Sequence, residues 1–287
     1  MFIIISDECG DTGLSYSKGT KSFISGTMLT EEKNLLSINN IARSISRKYL
    51  NSPLRKWSDL KGVAKNNPNT LYDFISEFSK TAKQNNIFIY FSIFILNKQE
   101  NEIITRTNQK EMHEYFIWRG YELCFKRIFS FVKKYGFTVH DYDYSIKWCL
   151  DRNIQRESQI EQAIKNLANQ KNIRLDGPHF ISKRPNDSSL HELSTSIKIV
   201  DIIIGIMRKS FEYYLNCNND CKLDNCVISE DCQNNFIGIW NIFRDNFLSI
   251  KIELNHSKIW DWQGIIYQPQ NFRNNHKRFI GNDDFFI

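Results

Sequence analysis

The residues that could do chemistry sit where apolar runs stop. Phe2-Ile-Ile-Ile-Ser6 leads into Asp7-Glu8-Cys9-Gly10-Asp11-Thr12-Gly13, so a stretch suited to a strand buried on both faces ends in three carboxylates within five residues. Carboxylates in such a place are costly unless a cation pairs with them. Mg²⁺ or Mn²⁺ would do so, because hard cations take one or two carboxylates and complete their shell with water and substrate phosphate oxygens. A second strand-like run, Tyr144-Ser-Ile-Lys-Trp-Cys-Leu150, ends the same way at Asp151. Asp201 interrupts the most apolar helical stretch, Ser196-Ile-Lys-Ile-Val-Asp-Ile-Ile-Ile-Gly-Ile206, on a face shared with Ile197, Ile204 and Gly205, and should point toward a sheet. Any one of these acids alone is most simply a turn, cap or ion-pair residue; together, at strand ends and on a sheet-facing helix, they point to a shared cation.

Basic residues offer a complementary feature. From Arg43 to Lys65 there are seven (Arg43, Arg47, Lys48, Arg55, Lys56, Lys61, Lys65) against one acid, Asp59, with Tyr49 and Trp57 interleaved. That mixture suits phosphate contact with base stacking, and Arg43, Arg47, Lys48, Arg55, Trp57 and Lys61 are candidate nucleic-acid contacts. Lys56 is the candidate for a scissile phosphate, and a solvated helix face is the plain alternative for the whole run. Farther on, Cys217, Cys221, Cys226 and Cys232 have the ligand count of a structural zinc site, whose thiolates would supply folding energy to a polar segment. Free thiols in an insertion are the other reading.

Elements must bring these residues together. Residues 2–6 predict a core strand and 22–29 its antiparallel hairpin partner. Thr30 followed by Glu31 and Glu32 predicts a capped helix to about 49, and Thr70-Leu-Tyr-Asp73 a capping box opening a helix to about 84. Ile87–Leu96 is β-branched and aromatic apart from Ser92 and Leu96, as a central strand would be. A long helix over 110–135, a strand over 144–150, a polar helix over 155–171, a short strand near 173–181 and a long helix over 190–215 complete an α/β alternation. The expected organisation is an α/β core over residues 1–215 and a small Cys-rich, aromatic C-terminal appendage over 216–287.

Composition narrows the classes. With 41% hydrophobic and 14% aromatic residues among 287, the chain can bury a substantial core and is not disordered. A net charge of +6 allows an acidic partner such as nucleic acid without requiring one. The longest apolar runs fall far short of the roughly 20 residues that span a bilayer, and the N-terminus lacks a signal-peptide pattern, so a cytoplasmic protein with reduced cysteines is expected. His191-Glu192-Leu-Ser-Thr195 lacks the second histidine of a zinc-protease motif. Phosphate-cradling glycine loops and a Gly-x-Ser-x-Gly elbow are absent from the sequence.

Four segments occur in a telling order across about residues 1–210: Asp7-Glu-Cys-Gly-Asp11, Lys56-Trp-Ser58, Leu150-Asp-Arg152 and Ile197-Lys-Ile-Val-Asp201-Ile-Ile-Ile-Gly205. Together they resemble the bacterial "domain of unknown function 3800" family, although Cys9 stands where Ser is usual and Leu54 where an acid is often found. The resemblance implies a ribonuclease H-like fold, a mixed sheet flanked by helices whose acids gather two Mg²⁺ or Mn²⁺ ions for phosphodiester cleavage. On that footing Asp7, Asp151 and Asp201 hold metal, Asp11 supports them and Lys56 contacts phosphate. Two ions in such sites lie roughly 3.5–4 Å apart. The expected function is a metal-dependent nuclease acting on RNA or DNA. The alternative is an inactive nucleic-acid or protein-binding accessory module, in phage defence or a mobile-element system.

Overall fold

The opening apolar run forms β1 (Phe2–Cys9), the strand about which everything else is arranged. A computed structural model describes residues 1–10, 22–60, 68–85, 87–95, 120–129 except 123 and 127, 145–151, 157–170, 172–183, 186–216 and 266–268. Asp11, Lys61, Lys65, Arg152 and the four cysteines from 217 to 232 lie outside these residues.

β1 pairs antiparallel with β2 (Ser22–Glu31), as the hairpin reading expects, and β2 pairs antiparallel with β3 (Phe88–Ile95). On its other side β1 pairs parallel with β4 (Ser145–Asp151), which in turn pairs parallel with β5 (Arg174–Ile181). With β6 (Ile266–Gln268) parallel to β3, the order is β5-β4-β1-β2-β3-β6, a mixed sheet. A short piece of the region expected to form a C-terminal appendage thus lies on the edge of the core's own sheet.

Both faces of the sheet are covered, which is why β1 shows no polar alternation until its end. On one face Ile3, Ile5, Ile24, Met28 and Cys149 pack beneath α1 (Leu35–Leu50), α2 (Pro68–Gln84) and α4 (His191–Asn216). On the other, Ile4, Phe23, Leu29, Trp148 and Leu150 meet Tyr121, Phe125 and Phe129 of a helical stretch within 120–129, and Ile164 and Leu167 of α3 (Glu157–Gln170). α1 buries Leu35, Ile38, Ala42 and Ile45, the three- and four-residue spacing of an amphipathic helix. Asn51, with a left-handed φ of 47°, stands at its C-terminal end.

Two helix starts differ from the sequence expectation. Thr30 stays in β2, buried and paired opposite Ile3, because the β1–β2 ladder continues to Glu31; a 3₁₀ turn over Glu32–Asn34 then precedes α1. Thr70 lies inside the first turn of α2, which begins at Pro68, a residue suited to the first helical position because it has no N–H to leave unpaired. No helix among the described residues is long and apolar enough to cross a membrane.

Candidate acidic centre and its basic cleft

Strand alternation decides which way the acids face. Ile3 and Ile5 point to the α4 side of the sheet, so Asp7, two residues on, does too. Cys149 points to that side, and so does Asp151 at the end of β4. The parallel register pairs Ser6 with Leu150, which sets Asp7 and Asp151 one step farther along, side by side at the carboxyl ends of adjacent strands. Ile181, which closes β5, faces the same way, and Lys183 follows it by two residues. α4 lies across β1 and β2 and directs Asp201 down onto this edge.

The result is a convergence on one point. The Lys183 Nζ lies 2.8 Å from Asp7 Oδ2, 3.2 Å from Asp151 Oδ2 and 3.2 Å from Asp201 Oδ1. Asp7, Asp151 and Asp201, expected from sequence to act together, are therefore brought together. Two of the three carboxylates are also held by backbone: Asp7 Oδ1 accepts the N–H of Glu8 at 2.9 Å, and Asp201 Oδ2 accepts the N–H of Trp57 at 2.7 Å. Each of these thus keeps one oxygen for its backbone partner and offers the other to the shared cation.

Lys183 was not among the candidates drawn from the sequence. Its signal is the same alternation that marks the acids, Ile181-Ser182-Lys183 at the carboxyl end of a strand, but that strand, Arg-Leu-Asp-Gly-Pro-His-Phe-Ile, has too broken an apolar pattern to announce it. The Lys183 carbonyl accepts the Ser194 hydroxyl at 2.8 Å, which ties this segment to the first turn of α4.

Electrostatics follow from burial. Asp7 is 2% exposed, and burial pushes its carboxyl well above the ordinary range, with the charges of Asp201, Asp151 and Glu8 adding to the effect and Lys183 opposing it. Burial works against the charge of Lys183, but the three carboxylates outweigh it and raise its pKa. Beneath them Tyr121 donates to the Glu8 carboxylate; burial, then the negative charge of Glu8 and Asp7, keeps that phenol protonated and hence a donor. Trp148 Nε1 donates to Ser6 Oγ at 3.2 Å on the same floor.

The segment carrying Lys56 docks directly on Asp201. Besides the Trp57 N–H bond, the indole of Trp57 lies against Gly205, one turn after Asp201, where a β-carbon would stand 2.2 Å from the ring. The Lys-Trp-Ser segment and the Asp201-x3-Gly205 segment are thus two halves of one contact. Trp57 is 3% exposed and serves the core; it is not presented for base stacking. Leu54 is also buried in that core and contributes no acid.

Other basic candidates are spread out. Arg43 Nη2 pairs with Glu192 Oε1 and donates to Thr195 Oγ1, both at 2.8 Å, bracing α1 against α4. Lys48 pairs with Glu77 at 2.8 Å, and Tyr49 donates to the same carboxylate. Arg47 is exposed on α1. Arg55 and Lys56 instead line a cleft of about 400 Å³ with Leu54, Asp59, Lys183 and Lys198. Lys183, which the three acids engage, is one wall of this cleft.

Three carboxylate oxygens about one cation form a donor set that suits a hard divalent ion. With the ammonium among them, no three Asp, Glu, His or Cys side chains of the described residues stand as a ready metal-ligand group. No protein-family model matches the chain, and no curated protein matches it.

Proposed function

We propose that this protein is a metal-dependent phosphodiester hydrolase acting on RNA or DNA, on a ribonuclease H-like core related to the domain of unknown function 3800 family. The observation that carries the proposal is the meeting of Asp7, Asp151 and Asp201, from two strands and a helix, within 2.8–3.2 Å of one cationic atom. The mixed sheet flanked by helices supports the fold reading, as does the position of the site at the carboxyl ends of neighbouring parallel strands, where α/β proteins bind ligands.

In this reading Asp7, Asp151 and Asp201 hold Mg²⁺ or Mn²⁺ with the oxygens they now turn toward Lys183. A second ion requires a further donor, for which Asp11 is the candidate. When bound, the metal supplies an activated water and stabilises charge on the leaving oxygen. The backbone bonds from Glu8 and Trp57 fix two of the carboxylates before substrate arrives, so little reorganisation is needed. Lys56, held beside Asp201 by its neighbour Trp57, contacts the phosphate. The cysteine cluster, if it binds zinc, has a structural role, because four thiolates leave no open position.

The test is cleavage of end-labelled single-stranded RNA, double-stranded DNA and RNA–DNA hybrid with Mg²⁺, Mn²⁺ or EDTA, comparing the native protein with Asp7→Asn and Asp151→Asn. Cleavage lost with EDTA and in both variants is the expected result. Substrates left intact by the native protein under every condition would overturn it. One observation favours a second reading: Lys183 already places a cation among the three acids, so the cluster has a charge partner without a metal. The fold would then be a nucleic-acid or protein-binding accessory module, and binding without cleavage, weakening steeply with salt, would mark it.

A further inference from the structure

The acid cluster and the cleft beside it carry opposite imbalances of charge. In the cluster three carboxylates face one ammonium. The lining of the cleft carries four basic side chains, Arg55, Lys56, Lys183 and Lys198, and one carboxylate, Asp59. Lys183 forms a wall common to both. Two adjoining sites of opposite sign are satisfied together by a cation and an anion lying side by side, and separately by neither.

The positions of the other three cations are set by the same contacts that build the acid cluster. Lys198 precedes Asp201 by three residues on α4, so the two lie on neighbouring parts of one helix face. Arg55 and Lys56 immediately precede Trp57, whose N–H is bonded to Asp201 and whose ring is seated on Gly205. The basic wall is therefore fixed relative to the acids by a buried anchor on each side, unlike a charged run on a solvated helix. At about 400 Å³ the cleft is in the size range of small-ligand sites. Arg supplies a planar fork for two phosphate oxygens, and Lys a mobile point charge.

We infer that this cleft is a phosphate subsite, in which Arg55 and Lys198, beside Lys56, hold one phosphate group of a nucleic-acid strand against the acid cluster. The group is either a backbone phosphodiester next to the scissile one or a terminal phosphate; both present the same charged oxygens. The inference deepens the nuclease reading and rests on it for the identity of the strand, but binding tests it without cleavage.

The experiment measures anisotropy of 3′-fluorescein-labelled 12-nucleotide single strands, with a 5′-phosphate or a 5′-hydroxyl, binding to full-length protein in EDTA across a salt series. Native protein is compared with Arg55→Gln, Lys198→Gln and, as a control, Lys33→Gln, an exposed lysine paired with Glu31 that does not line the cleft. Each cleft variant is expected to weaken binding by about five- to tenfold and to lower the salt slope by about one, with Lys33→Gln like the native protein. Equal weakening for both strands assigns an internal phosphodiester; weakening confined to the 5′-phosphorylated strand assigns a terminal phosphate. Native-like binding by both cleft variants, or no binding by the native protein, would overturn the subsite. The first of these with Asp7-dependent cleavage intact leaves the nuclease reading standing, whereas weakened binding with no cleavage by any protein keeps the subsite and removes the nuclease.

Discussion

Lys183 and Asp7 show how finely the acidic centre is balanced. An ammonium 18% exposed holds three carboxylates, one of them almost fully buried. Breaking a buried ion pair by removing one partner is strongly destabilising because the other charge is left behind, at a cost of about 3–5 kcal/mol. Lys183→Met, which keeps the aliphatic stem, is therefore expected to lose stability of that order in urea unfolding with EDTA, and to recover part of it when Mn²⁺ is added. A variant as stable as the native protein in EDTA would show that solvent already screens the cluster. Asp7 should behave in the opposite sense. Burial first, then its acidic neighbours, hold its carboxyl pKa above the ordinary value, so the folded state binds that proton more tightly than the unfolded chain. The stability so contributed is complete below the ordinary carboxyl pKa, about 3.9, and is lost as pH rises through the elevated value. Asp7→Asn removes this loss, and thermal melts in EDTA at about pH 7.5 should place the variant at or above the native protein. A lower melting temperature would mean that attraction to Lys183 outweighs burial.

Helix α4 is the element that couples the site to the fold, and it does so through positions four residues apart. Asp201 takes the Trp57 N–H while Gly205 makes room for the Trp57 ring. Alanine at 205 would gain about 1 kcal/mol of helix propensity in isolation. Its β-carbon would meet the indole at 2.2 Å, and overpacking of a filled core costs about 1–3 kcal/mol. The clash should win, so Gly205→Ala is expected to unfold at lower denaturant and to shift the Trp57 fluorescence; unchanged stability would mean that the ring moves freely. At the start of α4, burial pushes the Glu192 carboxyl up, but hydrogen bonds from Arg43 and Asn39 more than offset it and its pKa lies below the ordinary value. Stability from this pair is thus present above the ordinary glutamate pKa, about 4.3, and is lost as pH falls through the lowered one. The side chain is 39% exposed, so screening keeps the contribution below about 1 kcal/mol. The stability gap between native protein and Glu192→Gln should close in acid, as denaturation at a series of pH values will read.

Across the whole molecule, Asp7 and Asp151 were legible because each lies where an apolar pattern ends and keeps that pattern's phase, Ile3, Ile5, Asp7 on β1 and Cys149, Asp151 on β4, and Asp201 because it interrupts an apolar helix. Strand alternation and helical spacing are local rules, so they reveal which face a residue takes. They do not say which strands are neighbours, and so Lys183, brought in by β5 pairing with β4, went unseen. Trp57 was misread for a related reason: its burial depends on docking to Gly205, 148 positions away in sequence, which no local pattern announces. The same long-range assembly governs how the site should respond to mutation. Asp7, Asp151 and Asp201 come from three elements yet face one point, so in the proposed metal site they would form a unit whose loss is complete when any member goes. Asp7→Asn and Asp151→Asn should each reduce Mg²⁺-dependent cleavage by about 10³-fold or more, and the double variant should be no worse than either. Losses that multiply in the double variant would mean the two carboxylates act at separate places, and that their meeting at Lys183 stabilises the sheet edge without holding a shared ion.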